Sequence, residues 1–229
     1  MGPRHAAAAG AFALALLTPL PAEAEILSDE KTRTSWAHPR YRAEILAAPR
    51  PGARRVARLR RRTEDGFREV YVALRSTADG GWLKVRIPGR PNGHKGWVRH
   101  GGLGKLRVVT TRLVINRRLL RATLYRSGKR IWSTRVGIGS PSASTPRGRF
   151  WIRERFRVRG DTLYGPYAIG TSAYSVLSDW PGGGVVGIHG TDQPWLIPGR
   201  PSHGCIRMRN RDIRFLVFRL PLGTPLRIR

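Results

Sequence analysis

One cysteine, Cys205, serves the whole 229-residue chain, and acidic residues are scarce, 14 Asp and Glu against 43 Lys and Arg. A single thiol excludes an internal disulfide framework, so the fold has to rest on apolar burial. The shortage of acid leaves a net charge of +29. The basic residues nevertheless run from Arg33 to Arg229 without a zinc-finger, helix-turn-helix or RNA-binding signature. Charge alone therefore gives no specific nucleic-acid site, only a general attraction for polyanions. Beyond the N-terminus, no hydrophobic run reaches the roughly 20 residues that a membrane-crossing helix needs. No internal repeat and no long low-complexity tract is visible, which excludes a solenoid. The H-x-x-x-D and H-E-x-x-H patterns of zinc peptidases are also missing. Their absence counts against a zinc site built from His189, His203, Cys205 and Asp192.

The first residues read as an export signal. Arg4 supplies a positive start, Ala6 to Leu17 an apolar stretch broken by Pro19 and Pro21, and Ala22-Glu23-Ala24 the small residues of a cleavage site. The expected organisation is a signal peptide over 1–24, a linker over 25–37, a small domain over 38–104 and a larger one over 105–229. An exported protein with one thiol has no partner to pair it with, so Cys205 reads as a nucleophile rather than a staple.

In the first region, Leu83, Val85 and Ile87 alternate with Lys84 and Arg86, the period of a half-buried strand. Gly89 to Gly96 is a turn-rich loop, after which Gly96-Trp97-Val98 restarts an apolar strand. Trp82 and Trp97 read as core aromatics of a small all-β module. Gly101 to Lys105 is the expected linker. The second region opens with β-branched Arg107 to Ile115, then an alternation at Leu120, Ala122 and Leu124, a Ser127-Gly128 turn and a strand to Ile138. Val185 to Ile188 is a short apolar strand that delivers His189. Near the C-terminus, Asn210 or Asp212 could cap a helix with Ile213, Leu216, Val217 and Leu220 on one face, stopped by Pro221 and Gly223. The fold class expected is mainly β (α+β): a β-sandwich-like, mixed-sheet domain with one C-terminal helix, preceded by a small all-β barrel.

A free thiol is only a few per cent ionised near neutrality, so a catalytic cysteine needs a base, a positive field or both. His189 sits at a strand end, and the loop from Gly190 to Pro201 could fold back to Cys205. His203 lies two residues from Cys205, on the same face if the segment is extended. Gly204 allows close approach of a substrate carbonyl, making the nearby amides candidate oxyanion donors. Arg207 could lower the thiol pKa, hold a substrate carboxylate, or simply pair with Asp212 or a backbone carbonyl.

The segments Ile188-His189-Gly190-Thr191 and Gly199 to Met208, followed by Asn210 and Asp212, resemble the signature of the YkuD-type L,D-transpeptidases. The resemblance extends to Thr145-Pro146-Arg147-Gly148 and to Gly223-Thr224-Pro225-Leu226. It implies a cysteine acyltransferase acting on peptidoglycan stem peptides, with Cys205 as nucleophile, His189 as base and the Gly190 carbonyl orienting that base. It further implies that Ser202 and His203 shape the site and that the amides of His203, Gly204 and Cys205 form an oxyanion pocket. No metal and no organic cofactor is expected. Trp195, in the loop from Thr191 to Pro201, either covers substrate or packs. The pair Trp82-Leu83-Lys84-Val85 and Gly96-Trp97-Val98 resembles bacterial SH3-like domains, implying a wall-binding or positioning module. The location expected is the periplasm or wall of a bacterium, with anionic envelope polymers as the accessible polyanions. An L,D-carboxypeptidase and a noncatalytic wall-binding protein remain as alternatives.

Overall fold

The computed structural model describes residues 2, 23–160, 163–179 and 181–229. The expected signal segment lies almost wholly outside the described residues. Among those described, no helix is long and apolar enough to cross a membrane.

The chain alternates short β-rich segments with glycine turns, and the strands collect into two sheets. The first holds β1 (Thr34–Ala37), β2 (Glu44–Leu46), β3 (Arg55–Arg58), β4 (Tyr71–Ser76), β5 (Trp82–Arg86), β6 (Lys95–Arg99) and β7 (Arg107–Val109). Their spatial order is β3-β2-β6-β5-β4-β1-β7, all antiparallel. Trp82 and Trp97 are buried and pack with Leu46, and Arg99 lies over the Trp82 ring. Two segments expected as linkers are structural. Leu27 and Trp36 are apolar enough to be drawn into cores, each 4% exposed, and β1 pairs with both β4 and β7. Leu103 is likewise buried, and Gly102 packs against Val98 and Ala43. The handover between sheets falls at Thr110 rather than at Gly104, because Arg107 to Val109 pair with β1.

The second sheet is mixed and ten-stranded. It holds β8 (Thr111–Asn116), β9 (Arg121–Arg126), β10 (Lys129–Arg135), β11 (Gly137–Gly139), β12 (Gly148–Arg157), β13 (Tyr167–Tyr174), β14 (Val185–His189), β15 (Gly199–Ser202), β16 (Ile206–Arg207) and β17 (Pro225–Ile228). The order is β10-β9-β8-β17-β12-β13-β14-β16-β11-β15. β12 joins the halves: its start pairs with β17 and its end with β13. One apolar core, including Leu113, Phe150, Ile188 and Ile206, fills the space between the halves. The helix α1 (Asn210–Val217) seals it with the expected face of Ile213, Leu216 and Val217, and Leu220 follows. Neither expected cap is used. Arg209 is the N-cap and makes no side-chain cap bond, while the Asp212 carboxylate accepts from Thr134 Oγ1 at 2.8 Å.

The sheets interlock through apolar and ionic contacts. Trp36, Val70 and Val72 pack with Trp151, whose Nε1 donates to the Val70 carbonyl at 2.7 Å. Gly223, at φ +78°, has to be glycine on two grounds, since a Cβ there would lie 2.2 Å from the Trp36 ring. Beside this contact, the buried Arg153 donates from Nε to Glu69 Oε1 at 2.7 Å and from Nη2 to Glu69 Oε2 at 2.5 Å. The same Nη2 donates to Glu64 at 2.9 Å. Burial works against the Glu64 charge, but Arg153, the Tyr174 hydroxyl and Arg60 hold its pKa down to about 2. Its contribution to stability is therefore present above the usual carboxylate range and is lost as pH falls towards 2.

A buried ion pair left with one partner is costly, because the remaining charge stays desolvated. Arg153→Leu leaves the buried Glu69 with Arg60 at 3.2 Å as its one ionic partner and should destabilise the chain by about 3 kcal/mol, the low end for a broken buried pair. Urea unfolding at pH 7 measures this, and a change below about 1 kcal/mol would show that Glu69 is not held as described.

Candidate active site

The loop that carries Cys205 is shaped by its neighbours in sequence. Ser202 is buried; its hydroxyl donates to the Cys205 carbonyl at 2.6 Å and accepts from the Gly204 amide at 3.2 Å. Gly204 has φ +122°, and a Cβ on it would lie 2.9 Å from Ser175 Cβ. Thr145, fully buried, ties the loop to the sheet by donating to the Gly204 carbonyl at 2.7 Å and accepting from the Gly139 amide at 2.9 Å. Gly139 has no room for a side chain, since a Cβ would lie 2.2 Å from the Ala143 carbonyl.

Cys205 leads into β16, which runs parallel to β14 with Ile206 opposite Ile188 and Arg207 opposite His189. One step earlier in that register, Cys205 falls opposite Gly187, on the face shared with His189. The Gly187 amide donates to Sγ at 3.4 Å. A Cβ at Gly187 would lie 3.9 Å from both Sγ and His189 Cδ2, so thiol and imidazole border the same small space. His189 is buried, and its Nδ1–H donates to the Gly190 carbonyl at 2.6 Å. That bond fixes the tautomer and leaves Nε2 as the basic nitrogen. The Tyr164 ring covers the imidazole at 4.7 Å between centroids. Asn210 accepts from the Thr191 amide at 2.9 Å and holds the turn that follows His189.

Burial pushes the Cys205 thiol up, and the Gly187 amide and the Arg207 charge oppose it only in part. Arg207 thus acts on the thiol in the expected direction, but burial outweighs it. A base is then needed at the moment of attack.

A model of the YkuD family, the L,D-transpeptidase catalytic domain, matches residues 110–228. The chain belongs to the YkuD family. It is 34% identical to YkuD of Bacillus licheniformis over 114 residues, covering 50% of this chain and 61% of that one. It is also 32% identical over 109 residues to ErfK/SrfK of Salmonella typhimurium, described as a probable L,D-transpeptidase, covering 41% of this chain and 35% of that one. The matched segment therefore spans less than two thirds of either relative. A crystal structure of an Enterococcus faecium L,D-transpeptidase aligns at a TM-score of 0.40 and 24% identity, over 52% of this chain and 49% of that one.

Not every residue singled out in the YkuD-like motif faces the cleft. The cleft, about 250 Å³, is bordered by Cys205, His189, Gly187, Tyr164 and Val185, and on its far side by Asp65 of the first sheet's Arg62–Arg68 hairpin. His203 is exposed and does not line it, and Trp195 is 74% exposed on a short turn. Arg207 donates to Gln193 Oε1 at 3.2 Å rather than to Asp212, and its buried Nε has no partner among the described residues. The Gly204 amide, expected in the oxyanion pocket, is spent on Ser202. The Cys205 amide has no protein acceptor among the described residues. Among those residues no group of three or more His, Cys, Asp or Glu is placed to hold a metal ion.

Several contributors to the site come from loops that join the strands of the first sheet. Next to Asp65, the buried Glu154 accepts from Thr63 Oγ1, and burial raises its pKa to about 7, against the pull of that bond and with the push of Asp65. On the opposite wall, Arg90 donates to the carbonyls of Gly183 at 2.8 Å and of Ser175 and Leu177 at 2.9 Å. Asn92 donates to the Tyr174 carbonyl at 2.8 Å and accepts from its amide at 3.0 Å. The segment from Ser175 to Gly184 flanks Gly204 and contributes Gly182 to the cleft. Its shape is thus set by residues more than 80 positions earlier in the chain.

Removing three hydrogen bonds of roughly 1 kcal/mol net each should loosen that segment. In Arg90→Ala, amide exchange across 175–184 is expected to rise by about 10- to 100-fold, while exchange in β8 and β9 stays unchanged. Unchanged exchange in 175–184 would show that Arg90 is not its anchor.

Proposed function

We propose that this chain is an exported peptidoglycan L,D-transpeptidase with Cys205 as nucleophile and His189 as general base. The observation that carries the reading is the shared border of the Cys205 thiol and the tautomer-fixed His189 imidazole, within a domain that matches the family. The donor is a tetrapeptide stem. His189 Nε2 takes the thiol proton as Sγ attacks the carbonyl carbon at the L-centre of the diamino acid. The oxyanion that forms accepts from the Cys205 amide. His189 then delivers its proton to the nitrogen of the terminal D-alanine, which leaves, and a thioester remains. The side-chain amine of a second stem attacks that thioester, His189 takes the surplus proton and returns it to the departing sulfur. The product is a cross-link between two diamino acids.

The remaining roles follow from position. Arg207, with one buried N–H unpaired among the described residues, holds a substrate carboxylate. Ser202 and Thr145 keep the Cys205 loop in its conformation, His203 shapes the loop's outer side, and Trp195 covers the acceptor side of bound substrate. The first sheet is an SH3-like module that completes the cleft, and the enzyme works in the periplasm or wall without a metal or organic cofactor. Water in place of the amine would make the same thioester chemistry an L,D-carboxypeptidase.

Incubation with a disaccharide tetrapeptide, read by mass spectrometry, is expected to yield a cross-linked dimer lacking one alanine. Cys205→Ala and His189→Ala should each lower this product by at least about 1,000-fold with the thermal midpoint within a few degrees of the parent. Free tripeptide alone would mark a carboxypeptidase, and unchanged substrate would overturn both readings and favour a noncatalytic wall-binding protein.

A further inference from the structure

The charge of the first sheet is concentrated around a groove of about 970 Å³. Arg40, Arg42, Arg61 and Arg68 line it, all exposed, and none of the four side chains has a hydrogen-bond acceptor or carboxylate partner among the described residues. Other guanidinium groups on the lining are committed elsewhere. Arg60 is held by Glu64 at 2.8 Å and Glu69 at 3.2 Å, and Arg62 by the Gly66 carbonyl at 2.6 Å. Glu44 is the one carboxylate on the lining, and Arg55 at 3.1 Å and Arg58 at 3.8 Å already share it. Four uncompensated guanidinium groups around a concave wall focus a positive field. Their planar donor forks match the two oxygens of a carboxylate.

The groove is joined to the catalytic cleft by one hairpin. Arg62 pairs with Arg68 across it, and those two residues with Arg61 face the groove. The hairpin tip carries Asp65, which borders the cleft of Cys205 and His189. Asp65 is three residues from either leg, so at full extension at most about 10 Å separates the two sites along the chain. A ligand spanning both must present repeated anionic groups beside a reacting one. A polymer of stem peptides does so, since each stem ends in a carboxylate.

We infer that the groove is an exosite for the carboxylates of peptidoglycan stems neighbouring the one that reacts at Cys205. The inference rests on the proposed transpeptidase function for its ligand. Binding is read without turnover, so the product assay above and the following assay fail independently.

The test is co-sedimentation of the full Cys205→Ala chain with insoluble peptidoglycan freed of phosphate polymers, at 50 and 200 mM salt. A variant with Arg40, Arg42, Arg61 and Arg68 changed to Gln is compared with a charge-matched control in which exposed Arg118, Arg126, Arg130 and Arg214 are changed to Gln. The expected result is a loss of affinity of at least about tenfold and a shallower salt dependence for the groove variant, with the control within about twofold of the parent. The pairs Arg40/Arg42→Gln and Arg61/Arg68→Gln should each give part of the loss, and peptidoglycan with its carboxylates amidated should bind all variants equally weakly. Equal loss in groove and control variants would overturn the inference in favour of diffuse charge. Undiminished binding to amidated peptidoglycan would also overturn it, as would tighter groove-dependent binding of polyphosphate, which would assign the groove to a phosphate polymer.

Discussion

The parallel pairing of β14 with β16 is the constraint on which the site depends. Residues at 187–189 and 205–207 are far apart in the chain, and two register pairs, Ile188 with Ile206 and His189 with Arg207, lay them side by side. Because both isoleucines point into the core and are fully buried, a one-residue slip would expose them. The apolar core therefore enforces the register, and the register sets thiol and imidazole on the opposite face. Gly187 keeps that face open, and its amide is the direct contact from β14 to the sulfur.

The same site also depends on contacts that cross between the sheets. Arg153 and Glu69 hold the sheets together as a buried pair, Asp65 supplies one wall of the cleft, and Arg90 with Asn92 fixes the other. A charged network inside a protein is weak support for stability, since desolvation offsets much of the attraction, but it is demanding about geometry. Here that demand falls on the cleft's dimensions. The first sheet's connecting loops thus form part of the cleft wall rather than an appendage to it.

Much of this was legible in the residues. The alternation at Leu83 and Val85 and the single apolar face of Ile213 to Leu220 found their elements, because apolar spacing is a local pattern, although Arg86, expected on the open face of that strand, is buried against Glu30. The Ser202 to Met208 motif located the thiol loop, and His189 was found at its strand end. Less legible were features decided by packing at a distance. The segment 25–37 looked like a linker because its polar residues outnumber the apolar ones, yet Leu27 and Trp36 are enough to anchor it. Arg90 and Asn92 carried no signal, since more than 80 residues separate them from the carbonyls they hold. The Gly204 amide reads as an available donor in the sequence, yet the Ser202 hydroxyl occupies it, and the burial that outweighs Arg207 at the thiol has no signature in spacing.

Whether the half-buried Cys205 becomes acylated is the question that the site's chemistry turns on. Intact-mass measurement of the chain quenched in acid during reaction with a tetrapeptide donor, followed by peptide mapping, answers it most directly. The predicted result is an adduct equal to the donor minus one alanine, located on Cys205 and absent from Cys205→Ala. Donor turnover with no such adduct, or an adduct elsewhere that persists in Cys205→Ala, would contradict the assignment of the nucleophile.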